Sequence, residues 1–157
     1  MIKAVIIDDE KNALDVLDMQ LNQFCRDVQI VAKCDSAEKG IAAIKKNNPD
    51  LVFLDIEMPH KNGFDVLKET SQFNYDVIFT TAYDQFAIKA FKYSALDYLL
   101  KPIDIVELQQ AVEKAKNKNI IQSAATLINP YQQNCITCRR WYAVYGSRRD
   151  HPLRKRQ

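Results

Sequence analysis

The sequence predicts an α/β fold in which helices cover both faces of a parallel sheet. Three observations carry this reading. Over the first 118 residues, short apolar runs alternate strictly with helical patterns. The runs at 51–54 (LVFL) and 77–80 (VIFT) show no polar alternation, as strands buried on both faces do not. Five strand–helix units in strict order imply parallel strands joined by right-handed crossovers, which leaves few topologies.

The elements follow in order. Lys3–Ile7 (KAVII) is a β-branched run that ends in the acids Asp8, Asp9 and Glu10. Ala13, Leu14, Leu17, Leu21 and Phe24 then recur at helical spacing. Ile30–Cys34 reads as the second strand. Asp35 or Ser36 caps a helix with Ala37, Ile41 and Ile44 on one face, which Asn47, Asn48 and Pro49 stop. Leu51–Leu54 is the third strand, closed by Asp55. Phe64 and Leu67 mark a third helix with a weak apolar face. Val77–Thr80 is the fourth strand; Phe86, Ala87, Ala90 and Phe91 suggest the fourth helix, and Tyr98–Leu100 the fifth strand. After Pro102, Asp104 caps a helix presenting Ile105, Leu108, Val112 and Ala115. A flavodoxin-like doubly wound (βα)5 sheet, strand order 2-1-3-4-5, suits this length.

Composition sets the outer bounds. A chain of 157 residues holds one ordinary domain and a short appendage. No apolar run approaches the roughly 20 residues that span a bilayer. No basic, then apolar, leader opens the chain, so a cytoplasmic location is expected. Four cysteines at irregular spacing do not make a disulfide scaffold. The net charge of +2 conceals an asymmetry. Residues 119–157 carry seven bases against Asp150 alone, a balance of +6, while the other 15 bases and 19 acids leave 1–118 at −4. The expected division is therefore a domain at 1–118 and a basic, poorly ordered tail at 119–157.

In doubly wound sheets, functional groups gather at the carboxyl ends of the strands. That rule selects Asp8 and Asp9 after the first strand, Asp55 after the third, Thr80 and Thr81 at the fourth and Lys101 at the fifth. Three adjacent carboxylates repel one another. A hard divalent cation such as Mg²⁺ relieves this, and it keeps waters and takes phosphate oxygens as further ligands. A lysine, a hydroxyl and a cation around one carboxylate also suit a phosphoryl group. Taken singly, acids at strand ends are equally well read as solvated groups or helix caps.

The stretches Val5-Ile-Ile-Asp-Asp-Glu10, Asp50-Leu-Val-Phe-Leu-Asp-Ile-Glu-Met-Pro59 with Gly63, Thr81-Ala82 and Asp97-Tyr-Leu-Leu-Lys-Pro102 together resemble the receiver domain of two-component response regulators. The resemblance covers roughly residues 1–118. The variants Phe79-Thr-Thr-Ala-Tyr-Asp84 and Ala95-Leu-Asp-Tyr-Leu-Leu-Lys-Pro-Ile103 look most like the branch that carries a LytTR DNA-binding domain after the receiver. The resemblance implies that Asp55 accepts a phosphoryl group from a sensor histidine kinase. Asp9, Asp55 and the backbone carbonyl of Glu57 would hold Mg²⁺ directly, and Asp8 through water. Lys101 would pair with the phosphoryl group, Thr81 would hydrogen-bond it, and Tyr98 would turn inward when that bond forms. The protein would take part in its own phosphorylation and dephosphorylation without being an enzyme. A full-length member of this branch would regulate transcription.

Neighbouring residues take plainer readings. Pro59 and Gly63 shape the loop after Asp55, Gly63 by admitting a positive φ. Cys25 and Cys34 are small buried hydrophobes, and His60 is a loop residue without a catalytic role. Phe86, Phe91 and Tyr93 form either core or a homodimer face on the fourth helix, fifth strand and fifth helix. Apolar periodicity fades after Lys118. Cys135-Ile-Thr-Cys138 lacks a second ligand pair, since His151 stands alone. The arginine pairs give nucleic acid little specificity without a folded reading element, so DNA binding requires an intact effector domain. Read with one base dropped, codons permitted for Asn134–Arg156 resemble the opening strands of a LytTR domain, which makes the tail a frameshifted remnant or a cloning artefact. The competing function is a Mg²⁺-dependent phosphatase-like hydrolase with an Asp nucleophile. Such enzymes place a second Asp two residues on, where this chain has Glu57.

Overall fold

The computed structural model describes residues 1–128, the side chains of residues 88, 89, 91 and 121–128 excepted. Five parallel strands form one sheet in the order β2-β1-β3-β4-β5. They are β1 (Ile2–Ile7), β2 (Val28–Cys34), β3 (Leu51–Leu54), β4 (Asp76–Thr81) and β5 (Asp97–Leu100). Between and after them lie α1 (Lys11–Phe24), α2 (Ala37–Asn47), α3 (Gly63–Glu69), α4 (Ala87–Lys92) and α5 (Ile105–Ile128). The predicted fold class and strand order are those observed, and each strand is equal to or slightly longer than expected.

Alternation along the central strands builds two cores. Ala4, Ile6, Phe53 and Ile78 point to one face and pack with Leu14, Leu17 and Leu21 of α1 and Leu108, Val112 and Ala115 of α5. Val5, Ile7, Val52, Leu54 and Phe79 point to the other, against Ile41 and Ile44 of α2 and Phe64 and Val66 of α3. Phe24 departs from the predicted apolar face of α1 and is 38% exposed, because it sits in the last turn.

Local chemistry sets the helix ends. Ser36, not Asp35, caps α2, and its hydroxyl accepts from the Lys39 N–H at 3.4 Å. Asn48 ends that helix in the left-handed region, at φ 45°. Asn62 and Asp65 form a reciprocal capping box on α3, which accounts for a helix whose apolar pattern is weak. Asp104 caps α5, its Oδ1 accepting from the N–H groups of Val106 (2.8 Å) and Glu107 (3.1 Å). The expected fourth helix is split: a 3-10 turn at Asp84–Phe86 precedes the short α4. Phe86 packs against the second core and sits 6.3 Å from the Phe64 ring, so its role is core. Phe91 lies outside the described side chains.

One boundary is corrected. The helical pattern was expected to stop at Lys118, yet α5 continues to Ile128. The sequence from 119 to 128 has no single apolar stripe, but it also has no Gly or Pro to stop a helix that enters it from Lys118. The chain divides into two compact units, Met1–Asn119 and Ile120–Gln157, and the sheet belongs to the first. Cys135, Cys138, His151 and the frameshift reading lie outside the described residues.

Candidate functional site

The ladders continue one residue past the strands and so fix the site's backbone. The Asp8 N–H donates to the Cys34 carbonyl (3.0 Å), the Asp55 N–H to the Ile7 carbonyl (2.9 Å) and the Lys101 N–H to the Thr81 carbonyl (2.8 Å). Asp8, Asp55 and Lys101 are thereby registered to one sheet edge. Among the described residues, Asp8, Asp9 and Asp55 form one cluster in which one oxygen of each lies within 4.8 Å of the other two. Asp8 and Asp55 are only 3% and 4% exposed, and Asp9 faces solvent.

Each buried carboxylate divides its oxygens in the same way. Asp8 Oδ1 accepts from the Glu10 N–H at 2.9 Å, and Asp55 Oδ1 from the Glu57 N–H at 3.3 Å. The Oδ2 atoms meet Lys101 Nζ, at 2.7 Å for Asp8 and 3.0 Å for Asp55. Glu10 Oε1 is a third carboxylate neighbour of the ammonium, at 3.3 Å. Burial pushes the carboxyls of both Asp8 and Asp55 up from their ordinary value, against the pull of Lys101. Burial also acts to lower Lys101, but its hydrogen bonds to Asp8 and Asp55 outweigh this and hold it above its ordinary value. One cation therefore serves three carboxylates. The remaining negative charge and the all-oxygen donor set fit a hard divalent ion.

Gly63 acts by close approach. Its φ is not positive, contrary to expectation. A Cβ there would lie 2.4 Å from the Asp55 carbonyl oxygen and 3.2 Å from Ile56 Cα. The Gly63 N–H donates to the Ile56 carbonyl at 2.9 Å, folding the loop back under Asp55. The positive φ in this loop, 67°, belongs to the exposed His60.

Thr81 is fully buried, and its Oγ1 accepts from the Tyr83 N–H at 3.4 Å. Tyr98 is half-buried against the second core, and its hydroxyl donates to the carbonyl of the same Tyr83. The backbone of Tyr83 thus bridges the two residues. Sequence reasoning named Thr81 and Tyr98 but missed Tyr83, because a backbone bridge leaves no trace in side-chain identity. It also gave Glu10 no role, although Glu10 directly follows Asp9. Cys25 and Cys34 are buried, and burial pushes both thiols up. No described helix is long and apolar enough to cross a membrane.

Residues 4–113 match the family model for the response regulator receiver domain. The chain is 38% identical over 128 residues to the transcriptional regulatory protein BtsR of Escherichia coli, covering 81% of this chain and 53% of that protein. It is 38% identical over 120 residues to the sensory transduction protein LytT of Bacillus anthracis, covering 75% and 48%. The chain thus spans about half the length of these curated relatives. Among solved structures, the REC domain of AraT, a response regulator from Geobacillus stearothermophilus, superposes with a TM-score of 0.70 at 29% identity, over 78% of this chain and 98% of that one. The response regulatory domain of mrkE from Klebsiella pneumoniae gives 0.68 at 29%, over 74% and 96%.

Proposed function

The chain belongs to the response regulator receiver family, and from that premise we propose that it relays a two-component signal by accepting a phosphoryl group on Asp55 from a sensor histidine kinase. The observation that carries this reading is the pairing of buried Asp55 Oδ2 with Lys101 Nζ, 3.0 Å apart, inside a cluster of three carboxylates. An Asp55 oxygen attacks phosphorus in line, and the bond between phosphorus and the kinase histidine breaks. The electron pair returns to the imidazole, and an acyl phosphate remains on Asp55. Such a transfer asks mainly for positioning and charge neutralisation. Lys101 is already at the carboxylate and needs only to shift to a phosphoryl oxygen.

Asp9, Asp55 and the Glu57 carbonyl would hold Mg²⁺, with Asp8 acting through water. The ion supplies neutralisation of charge on the transferring group. Thr81 is the group that engages the phosphoryl oxygen. Its hydroxyl would donate to that oxygen, and the Tyr83 backbone, which contacts both Thr81 and Tyr98, would carry the change to Tyr98. Phosphorylation then shifts a pre-existing equilibrium at α4, β5 and α5, the face proposed for homodimer contact. The likeness to LytT and BtsR supports a place in the LytTR branch, with transcriptional output through a further DNA-binding domain, in the cytoplasm.

Acetyl phosphate with Mg²⁺ should add one phosphoryl group per chain, labile to hydroxylamine and absent in EDTA. An Asp55→Asn protein that still gains a full equivalent would overturn the assignment. Sustained turnover of a small phosphoester would instead favour a hydrolase.

A further inference from the structure

We infer that Glu10 is a positioning residue for Lys101, the group that keeps the ammonium at the pocket once Asp8 and Asp55 are turned toward a cation; the inference rests on the phosphoacceptor reading above. A lysine ammonium has three N–H donors and no acceptor. Here three carboxylates surround it: Asp8 at 2.7 Å, Asp55 at 3.0 Å and Glu10 at 3.3 Å. Two of the three belong to the cluster whose oxygens converge within 4.8 Å, and Glu10 does not. A divalent ion in that cluster competes with Lys101 for the Asp8 and Asp55 oxygens. Glu10, which is not part of that cluster, would keep its own contact with the ammonium.

A second observation concerns what Glu10 does not do. It occupies the N-cap position of α1, at φ −85° and ψ 108°, yet its side chain makes no capping hydrogen bond. Its backbone carbonyl accepts from the Leu14 N–H at 3.1 Å, and its own N–H donates to Asp8 Oδ1 at 2.9 Å. The backbone of Glu10 is therefore committed to the helix and to Asp8, while its carboxylate reaches across the sheet edge from the end of β1 to the lysine after β5. A cap of the Ser, Thr, Asp or Asn type would serve α1 better. Glutamate adds the length that lets the same position touch Lys101. Its side chain is 65% exposed, against 16% for Lys101, so it approaches the ammonium from the solvent side. From there it does not compete for the inner side of Lys101, which meets Asp8 and Asp55 and would turn to a phosphoryl oxygen.

Solvent exposure limits the size of the effect. An exposed carboxylate–ammonium pair contributes up to about 1 kcal/mol, equivalent to about fivefold. The test compares the unmodified chain with Glu10→Ala and the isosteric Glu10→Gln. The first readout is the ¹⁵N-detected Nζ resonance of Lys101, assigned by loss in Lys101→Arg. Without a divalent ion it should persist in all three, since Asp8 and Asp55 still hold the ammonium. With saturating Mg²⁺ it should persist in the unmodified chain and broaden in Glu10→Ala and Glu10→Gln. The second readout is the acetyl phosphate reaction at saturating Mg²⁺, expected to slow about two- to fivefold in both variants with an unchanged thermal midpoint in EDTA. A Lys101 resonance that survives Mg²⁺ in both variants, with unchanged rates, would overturn the role of Glu10 while leaving Asp55 as phosphoacceptor. Failure of the unmodified chain to take up phosphate at all would instead overturn the underlying reading.

Discussion

Asp55 is held where burial disfavours its charge, and this has a measurable consequence for folding. Burial raises its folded pKa above the ordinary carboxylate value, although Lys101 and the Glu57 N–H both pull it down. A carboxyl raised in the fold contributes stability that is fully present below the unfolded pKa, near about 3.9. That contribution is lost as pH rises through the folded value. At neutral pH and without a divalent ion, ionised Asp55 therefore works against the fold. Replacement by the isosteric amide removes the penalty, and Lys101 keeps Asp8 and Glu10 as partners. Asp55→Asn should raise the urea midpoint at pH 7 in EDTA, and the gain should shrink on acidification toward pH 4. A variant less stable at pH 7, or a gain that grows on acidification, would contradict this account. The identity of the charged residues was legible in the sequence, because strand ends in a doubly wound sheet converge. The division of labour among Asp8, Asp9 and Glu10 was not. Adjacent residues of one kind differ only in where their backbone turns, and that is decided by the ladder bond from Asp8 to Cys34 and the start of α1.

At the scale of elements, apolar runs found the strands because both faces of this sheet are covered. Leu51–Leu54, uniformly buried, is the clearest case. The helices were less evenly readable. In α3 the apolar pattern is short, and the helix is set by its start: Asn62 Oδ1 accepts from the Asp65 N–H at 3.1 Å, and Asp65 Oδ2 accepts from the Asn62 N–H at 3.2 Å. This box lies at the end of the loop from Asp55, where Gly63 packs beneath the Asp55 carbonyl. Asn62→Ala should cost about 1 kcal/mol of stability, read from urea unfolding. It should also slow phosphorylation by acetyl phosphate, since the loop carrying the Glu57 carbonyl loses its lower anchor. A stability loss with an unchanged rate would show that the loop is held independently of α3. The fourth helix was expected longer than it is. Phe86 enters the core from a 3-10 turn rather than a helix, and side-chain spacing alone does not distinguish those two ways of presenting it.

For the whole molecule, the question is how much of the chain the fold needs. Among the described side chains, all buried members of both cores lie between Ile2 and Ala115. The ion pairs from α5 to the rest of the first unit also fall before residue 119: Lys114 with Asp97 at 2.7 Å, Lys116 with Asp27 at 2.5 Å, and Lys118 with Asp76. The continuation of α5 to Ile128 lies beyond the last residue that either core needs among the described side chains, Ala115. Isolated helical turns contribute little stability in water, because most helical stability comes from packing. A chain ending at Asn119 should therefore keep the thermal midpoint of the 157-residue chain to within a few degrees. It should also take up phosphate from acetyl phosphate at the same rate, because Asp8, Asp9, Asp55, Thr81 and Lys101 all remain. The same comparison tests the basic segment. Its balance of +6 gives salt-dependent, sequence-independent affinity for DNA at most, and the truncated chain should lose even that. A fall in midpoint well beyond a few degrees, or sequence-specific DNA binding by the 157-residue chain that vanishes on truncation, would show that the residues after 119 do work for the receiver that neither core nor site reveals.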